Sequence, residues 1–233
     1  MKTKGIIFMA LFIALTTTIS AQVVKEKKQI NVFHKISSSG GIDVYFTQSN
    51  NCSLEIETDA RNMAKIDIMV KDGCLQLGRK RNEKFERNST IKAYVSAPVL
   101  DAIATSGGAD FHAKEISNNK NIDIASSGGA DIHINRLNTP SCNLKVSGGA
   151  DADIKQFEGQ NLNISASGGS DADIQIGRVD NLAASASGGA DIKLTGKAKL
   201  VSVRASGGSD INVKGLTYET INASKSGGGD ILK

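Results

Sequence analysis

Apolar and polar positions alternate on both sides of a glycine pair, and the whole pattern returns about every 20 residues. The first glycine of each pair falls at 107, 128, 148, 168, 188, 207 and 227, giving steps of 21, 20, 20, 20, 19 and 20. Six residues before each pair stand Asp101, Ile122, Cys142, Leu162, Leu182, Val201 and Ile221. Four before stand Ile103, Ile124, Leu144, Ile164, Ala184, Val203 and Ala223. Two before stand Thr105, Ser126, Val146, Ala166, Ala186, Ala205 and Lys225, a column of mostly small residues. Inward residues at every second position mark a strand with one buried face. Beyond the pair the alternation resumes, with Ala130, Ile132 and Ile134 inward and Asp131 and His133 outward.

The glycine pair turns the chain, because glycine takes backbone angles closed to other residues. Two strands, the glycine corner and a polar loop such as Asn135–Ser141 then use up one repeat. Self-similarity at this period predicts a solenoid in which each repeat is one turn. The predicted fold is all-β, a right-handed parallel β-helix of about 20-residue turns. Seven turns at about 4.8 Å spacing span roughly 30 Å. Lys225 stands where the other turns carry a small inward residue, which suits an end on which nothing stacks.

Before the repeats, Asp43–Thr47, Leu54–Glu57, Ile66–Val70, Leu75–Leu77 and Ile91–Val95 read as short strands. Asp72-Gly73 is a hairpin turn signal. Gln22–Lys28 reads as a charged, loose lead-in. Gly78–Asn88 is basic, with Arg79, Lys80, Arg81, Lys84 and Arg87, and reads as a solvated loop. At the start, Lys2 and Lys4 precede an apolar run, Gly5–Leu15, and a small polar stretch ending at Ala21. That order is a secretory signal peptide, its run shorter than the roughly 20 apolar residues of a membrane span. The expected parts are therefore the signal, residues 1–21; a divergent β-rich N-terminal half that caps the helix, 22–100; and the repeats, 101–233. No later stretch is apolar enough to cross a bilayer.

Net charge is +4, falling to +2 once Lys2 and Lys4 are removed, too weak for a nucleic-acid partner. Of the three cysteines, Cys52 and Cys74 are the plausible disulfide pair, since export permits one. Cys142 shares a column with Ile122 and Leu162 and reads as a buried apolar thiol.

The recurrent motif is Ser-Gly-Gly-Ala-Asp, at Ser106–Asp110, Ser127–Asp131, Ser147–Asp151 and Ser187–Asp191. Variants stand at Ser167–Asp171, Ser206–Asp210 and Ser226–Asp230, and a degenerate first copy at Ser39–Asp43. From about Val32 to Lys233 this sequence resembles the auto-transporter adhesin head domain called the GIN domain, typical of exported Bacteroidetes proteins. The resemblance implies a right-handed β-helical fold and a surface or adhesive role. It carries no catalytic residues to transfer.

Candidate chemistry lies on the outward columns. The Asp column runs Asp110, Asp131, Asp151, Asp171, Asp191, Asp210 and Asp230. Carboxylates about 4.8 Å apart repel by roughly 1 kcal/mol in water and more near a protein surface. The expected offset is hydrogen bonding to backbone N–H groups at the glycine corner or to a neighbouring Ser. The next outward column reads His112, His133, Asp153, Asp173, Lys193, Asn212 and Leu232. Asp151, Asp153, Asp171 and Asp173 together make the calcium candidate. Asp110, Asp131, His112 and His133 make a transition-metal candidate. Asp153 and Asp173 are also a conceivable acid pair for polysaccharide cleavage, but no long loop builds a cleft and no nucleophile–His–acid set is present, so a non-enzyme is expected. Two functions stand ahead of it: an adhesin-like module presenting a polar face to glycans or a cell-surface protein, and a self-associating structural component of the envelope, which would be a homo-oligomer.

Overall fold

The computed structural model describes residues 22–86, 89–118 and 120–233; the signal-peptide reading and Arg87 lie outside them. The N-terminal elements are β1 (Val23–Lys28), β2 (Lys35–Ser39), β3 (Ile42–Gln48), β4 (Ser53–Asp59), a short α1 (Ala60–Met63), β5 (Ile66–Lys71), β6 (Cys74–Arg79) and β7 (Ile91–Ala97). The repeats supply β8 (Ala102–Ser106), β9 (Phe111–Ser117), β10 (Ile122–Ser127), β11 (Ile132–Asn138), β12 (Ser141–Gly148), β13 (Asp151–Glu158) and β14 (Asn161–Gly168). Three long strands follow, β15 (Asp171–Gly188), β16 (Asp191–Gly207) and β17 (Asp210–Gly227), and then β18 (Asp230–Leu232). The fold is an all-β parallel solenoid. No helix among the described residues is long and apolar enough to cross a membrane.

The inward columns stack as their spacing requires. Ile103, Ile124, Leu144, Ile164, Ala184, Val203 and Ala223 pair turn to turn in register. The position between the glycine pair and the Asp is fully buried at Ala109, Ala130, Ala150 and Ala190, so only a small residue fits. Ser170 and Ser209 occupy it by satisfying their hydroxyls internally: Ser170 Oγ donates to the Val146 carbonyl at 3.1 Å and Ser209 Oγ to that of Ser206 at 2.8 Å.

The polar loop expected over Asn135–Ser141 is instead mostly strand. Asn135 and Arg136 both face solvent, so the alternation slips by one and Leu137 turns inward to pair with Ile116 and Phe157. The strand bends there rather than stopping, and in β15–β17 the bend joins two former strands into one.

The N-terminal half does not stack in chain order. β2 lies between β6 and β8, and β3 between β7 and β9, all parallel. The chain therefore makes one turn, leaves through β4, α1 and β5, lays β6 and β7 on the outer side of that turn, and crosses back to start the repeats. The outer end is closed by antiparallel strands, β5 on β6, β4 on β7 and β1 on β4. Asp72 (φ 51°) and Gly73 (φ 69°) form the expected β5–β6 hairpin. The lead-in Gln22–Lys28 is thus no loose tail but contains edge strand β1, held by Lys25 on Glu57 at 2.8 Å. Its lysines guard the edge against further pairing.

The basic Gly78–Asn88 stretch is also more than a solvated loop. Arg79 lies over the Phe85 ring at 4.5 Å and covers the Gly40–Gly41 corner. Lys80 Nζ donates to the Ala64 carbonyl at 2.7 Å, and Lys65 Nζ to that of Lys84 at 2.6 Å. Cys52 and Cys74 are free thiols rather than a disulfide. The Phe33–Lys35 segment engages both: the Cys52 thiol donates to the Phe33 carbonyl at 3.5 Å, and Cys74 pairs with Lys35. Cys142 is buried, and burial pushes its thiol up to about 12.

Candidate binding site

The Asp column is hydrogen-bonded along its length to the backbone of the neighbouring turns. The backbone N–H of Asp131 donates to the Asp110 carboxylate at 2.9 Å, and that of Asp151 to Asp131 at 3.0 Å. The same bond recurs more weakly from Asp171 to Asp151 and from Asp210 to Asp191, both at 3.3 Å. Asp110, Asp131, Asp151 and Asp191 are thus bound by the next Asp backbone rather than by the glycine corner or a Ser, while Asp230 at the end accepts from Lys225 and the Ile231 N–H. The column reaches back to Asp43, which accepts from the Asp110 N–H at 3.3 Å. Burial raises the Asp171 pKa, and the Asp151 and Asp191 carboxylates raise it further.

The four carboxylates Asp151, Asp153, Asp171 and Asp173 do sit together, paired in register on adjacent turns. Lysines already engage two of them. Lys155 Nζ meets Asp153 at 2.6 Å and Lys193 Nζ meets Asp173 at 2.8 Å. Among the described residues no three His, Cys, Asp or Glu side chains converge as a metal-holding group.

His112 and His133 are also neighbours, with Asp110 and Asp131 in the adjoining column. Their rings lie face to face, centroids 5.0 Å apart and planes 12° from parallel. Imidazole lone pairs lie in the ring plane, so this arrangement does not aim both at one ion about 2.0–2.1 Å from each.

What the histidines join is a longer stack. Tyr45 lies on the other face of His112 at 4.8 Å, and Tyr94 follows at 5.5 Å. Lys25 Nζ closes the far end, 4.6 Å from the Tyr94 ring. The outward column thus runs Tyr94, Tyr45, His112, His133, Asp153, Asp173, each paired in register with the next. Each ring contact is worth about 0.5–1.5 kcal/mol beyond its buried area. The Tyr94 hydroxyl bonds Glu57 at 3.2 Å. Burial lowers the His112 pKa, and the neighbouring His133 lowers it further, against the pull of Asp110, Asp43 and Asp131. The shift favours the neutral imidazole, which has one N–H donor and one acceptor.

This stack lines a groove of about 1050 Å³. Lys27 and Lys28 at the end of β1 and Gln29 and Ile30 after it also line it, with Ser96 of β7, Lys114 of β9 and Asn135 of β11. A smaller hollow of about 360 Å³ sits over Asp171, Asp173, Asp191 and Asp210 near the other end. The larger groove has the size of a small-ligand site and mixes aromatic rings with polar groups. Periodicity in the repeats could not find it, since Tyr94 and Tyr45 precede the repeats and are brought in by the out-of-order stacking. One signal was present. Tyr45 stands two residues beyond Asp43 in the degenerate first motif, the place His112 and His133 hold in theirs.

The family model described as "Putative auto-transporter adhesin, head GIN domain" matches residues 32–155 and 142–232. Among solved structures, a "putative adhesin" from Bacteroides fragilis is similar at 23% identity and TM-score 0.73, covering 91% of this chain and 97% of its own. A "putative adhesin" from Parabacteroides distasonis has 17% identity and TM-score 0.68, covering 91% and 98%. A "Putative lipid binding protein" from the same organism has 17% identity and TM-score 0.59, covering 91% and 97%. At these identities the likeness is one of fold. No curated protein matches the chain.

Proposed function

The chain belongs to the family of auto-transporter adhesin head GIN domains, and from that premise we propose that it is an exported, adhesin-like module that holds glycan in the groove beside its tyrosine–histidine stack. The observation that carries this reading is the groove itself. It joins an aromatic surface to hydroxyl, amide and imidazole groups, the combination that a sugar's apolar faces and hydroxyl rim call for. The Lys2–Ala21 segment supports export. The Asp column, on this reading, holds adjacent turns in register and takes no part in ligand binding.

Self-association has one observation in its favour. Ile221, Ala223 and Ile231 of the last turn are only half-buried at the solenoid's open end. Lys225 interrupts that surface and pairs with Asp230 at 2.9 Å, which opposes a further turn stacking on it.

The test is binding of the purified protein to a broad glycan and matrix-protein array, with calcium and with EDTA, beside the His112→Ala and Tyr45→Ala variants. Selective binding lost in both variants, with unchanged circular dichroism, is the expected result. Binding that both variants keep would move the site elsewhere, and loss of binding in EDTA alone would move it to the Asp151–Asp173 patch.

A further inference from the structure

The charges around the groove are not balanced. Lys27 and Lys114 line it, and neither makes an ion pair among the described residues. The other lining charges are engaged: Lys28 Nζ meets Glu26 at 2.6 Å, and Glu55 lies 3.9 Å from Lys25. Farther along the solenoid three outward lysines close on carboxylates, Lys155 on Asp153, Lys193 on Asp173 and Lys199 on Asp180. Lys145, Lys197 and Lys214 make no ion pair among the described residues but border no such groove. Two ammonium groups outside any ion pair among the described residues therefore border the groove, beside His112. A partly enclosed site strengthens their attraction to an anion relative to open water.

We propose that the groove selects acidic saccharides, the anion of the sugar seated by Lys27 and Lys114 and its ring and hydroxyls by the tyrosine–histidine stack. The proposal rests on the glycan reading above and adds the charge of the ligand to it. The lysines supply long-range attraction and steer association, so affinity falls as salt screens them. The stack supplies orientation, because imidazole and phenol groups bond hydroxyls in fixed directions whereas an ammonium is a compact point charge.

The experiment titrates the purified protein, by calorimetry at 50 and 300 mM salt, with four probes. These are oligogalacturonate (carboxylated), heparin-derived oligosaccharide (sulfated), neutral galactan oligosaccharide, and vesicles of phosphatidylglycerol. Wild type is compared with the double variant K27Q/K114Q and with H112A, each checked for an unchanged melting temperature. The expected result is binding of one or both acidic saccharides over galactan, weakened about tenfold or more in K27Q/K114Q and at high salt. The two acidic arms distinguish carboxylate from sulfate.

Galactan bound as well as the acidic sugars, with K27Q/K114Q unaffected and H112A inactive, overturns the acidic selection and leaves the glycan groove standing. Vesicle binding without saccharide binding overturns both in favour of an anionic lipid surface. No binding of any probe, with none on the array, also overturns both.

Discussion

The turns up to β11 and those from β12 onward share one five-residue motif but not one corner. At Gly107-Gly108 and Gly128-Gly129 both glycines have positive φ, from 60° to 74°. From Gly148 onward only the first glycine of each pair does. In the later turns the backbone takes over the Asp N–H: that of Asp191 donates to the Ser170 carbonyl at 3.1 Å, and that of Asp230 to Ser209 at 3.0 Å. At the earlier corner the Asp131 N–H donates to the Asp110 carboxylate at 2.9 Å, and the Asp151 N–H, at the first later corner, still donates to that of Asp131 at 3.0 Å. One sequence motif thus supports two geometries, one held by side chains and one by the sheet itself. The region in which both corner glycines have positive φ is also where strands stack out of chain order and where the groove lies.

The largest expected effect is in the core at the junction. Phe111 is fully buried and packs near Phe46, ring centroids 6.1 Å apart. Phe111→Ala should cost about 3–5 kcal/mol in urea unfolding. The smaller Ala172, three turns on in the same column, leaves no comparable volume to lose. Next comes the corner. Gly129→Ala should cost about 1–2 kcal/mol, because φ is 74° there. Gly149→Ala, the same motif position one turn later, should stay within about 0.5 kcal/mol, since an added Cβ meets nothing within 4 Å. Equal costs at the two sites would erase the distinction between corners.

The carboxylate column sharpens it further. Asp110→Ala removes the acceptor of a charge-assisted bond and should cost about 1–2 kcal/mol. Asp191→Ala should cost less than about 1 kcal/mol, because its bond to the Asp210 N–H at 3.3 Å duplicates a backbone bond to Ala190 at 3.2 Å. The smallest effect is at the closed end. Arg61 and its backbone N–H hold the Asp59 carboxyl down to about 2. Its folded value lies below the unfolded one, so its contribution is present above pH 3.8 and is lost as pH falls towards 2. The stability gap between wild type and Asp59→Asn, measured by thermal melts, should therefore close over that range.

Periodicity made the repeat fold legible because each buried column lists one position of the turn seven times over. It failed where the pattern slipped or charge hid it. Two successive exposed residues, Asn135 and Arg136, concealed the inward Leu137, and four charged residues in Val23–Lys28 concealed a strand. It placed His112 and His133 side by side but took their partners from the Asp column. Their neighbour Tyr45 comes from a turn whose place in the stack no local pattern encodes, because that turn lies between segments 74–97 and 102–117.

The tyrosine–histidine groove as the ligand site is tested most directly by nuclear magnetic resonance of the imidazoles. The chain has three histidines, and His34, paired with Asp101 at 2.8 Å and outside the groove lining, serves as the internal control. Titration with oligogalacturonate, or with the saccharide the array selects, should shift the His112 and His133 ring signals saturably and leave His34 in place. Saturable binding that leaves His112 and His133 unshifted would contradict the assignment.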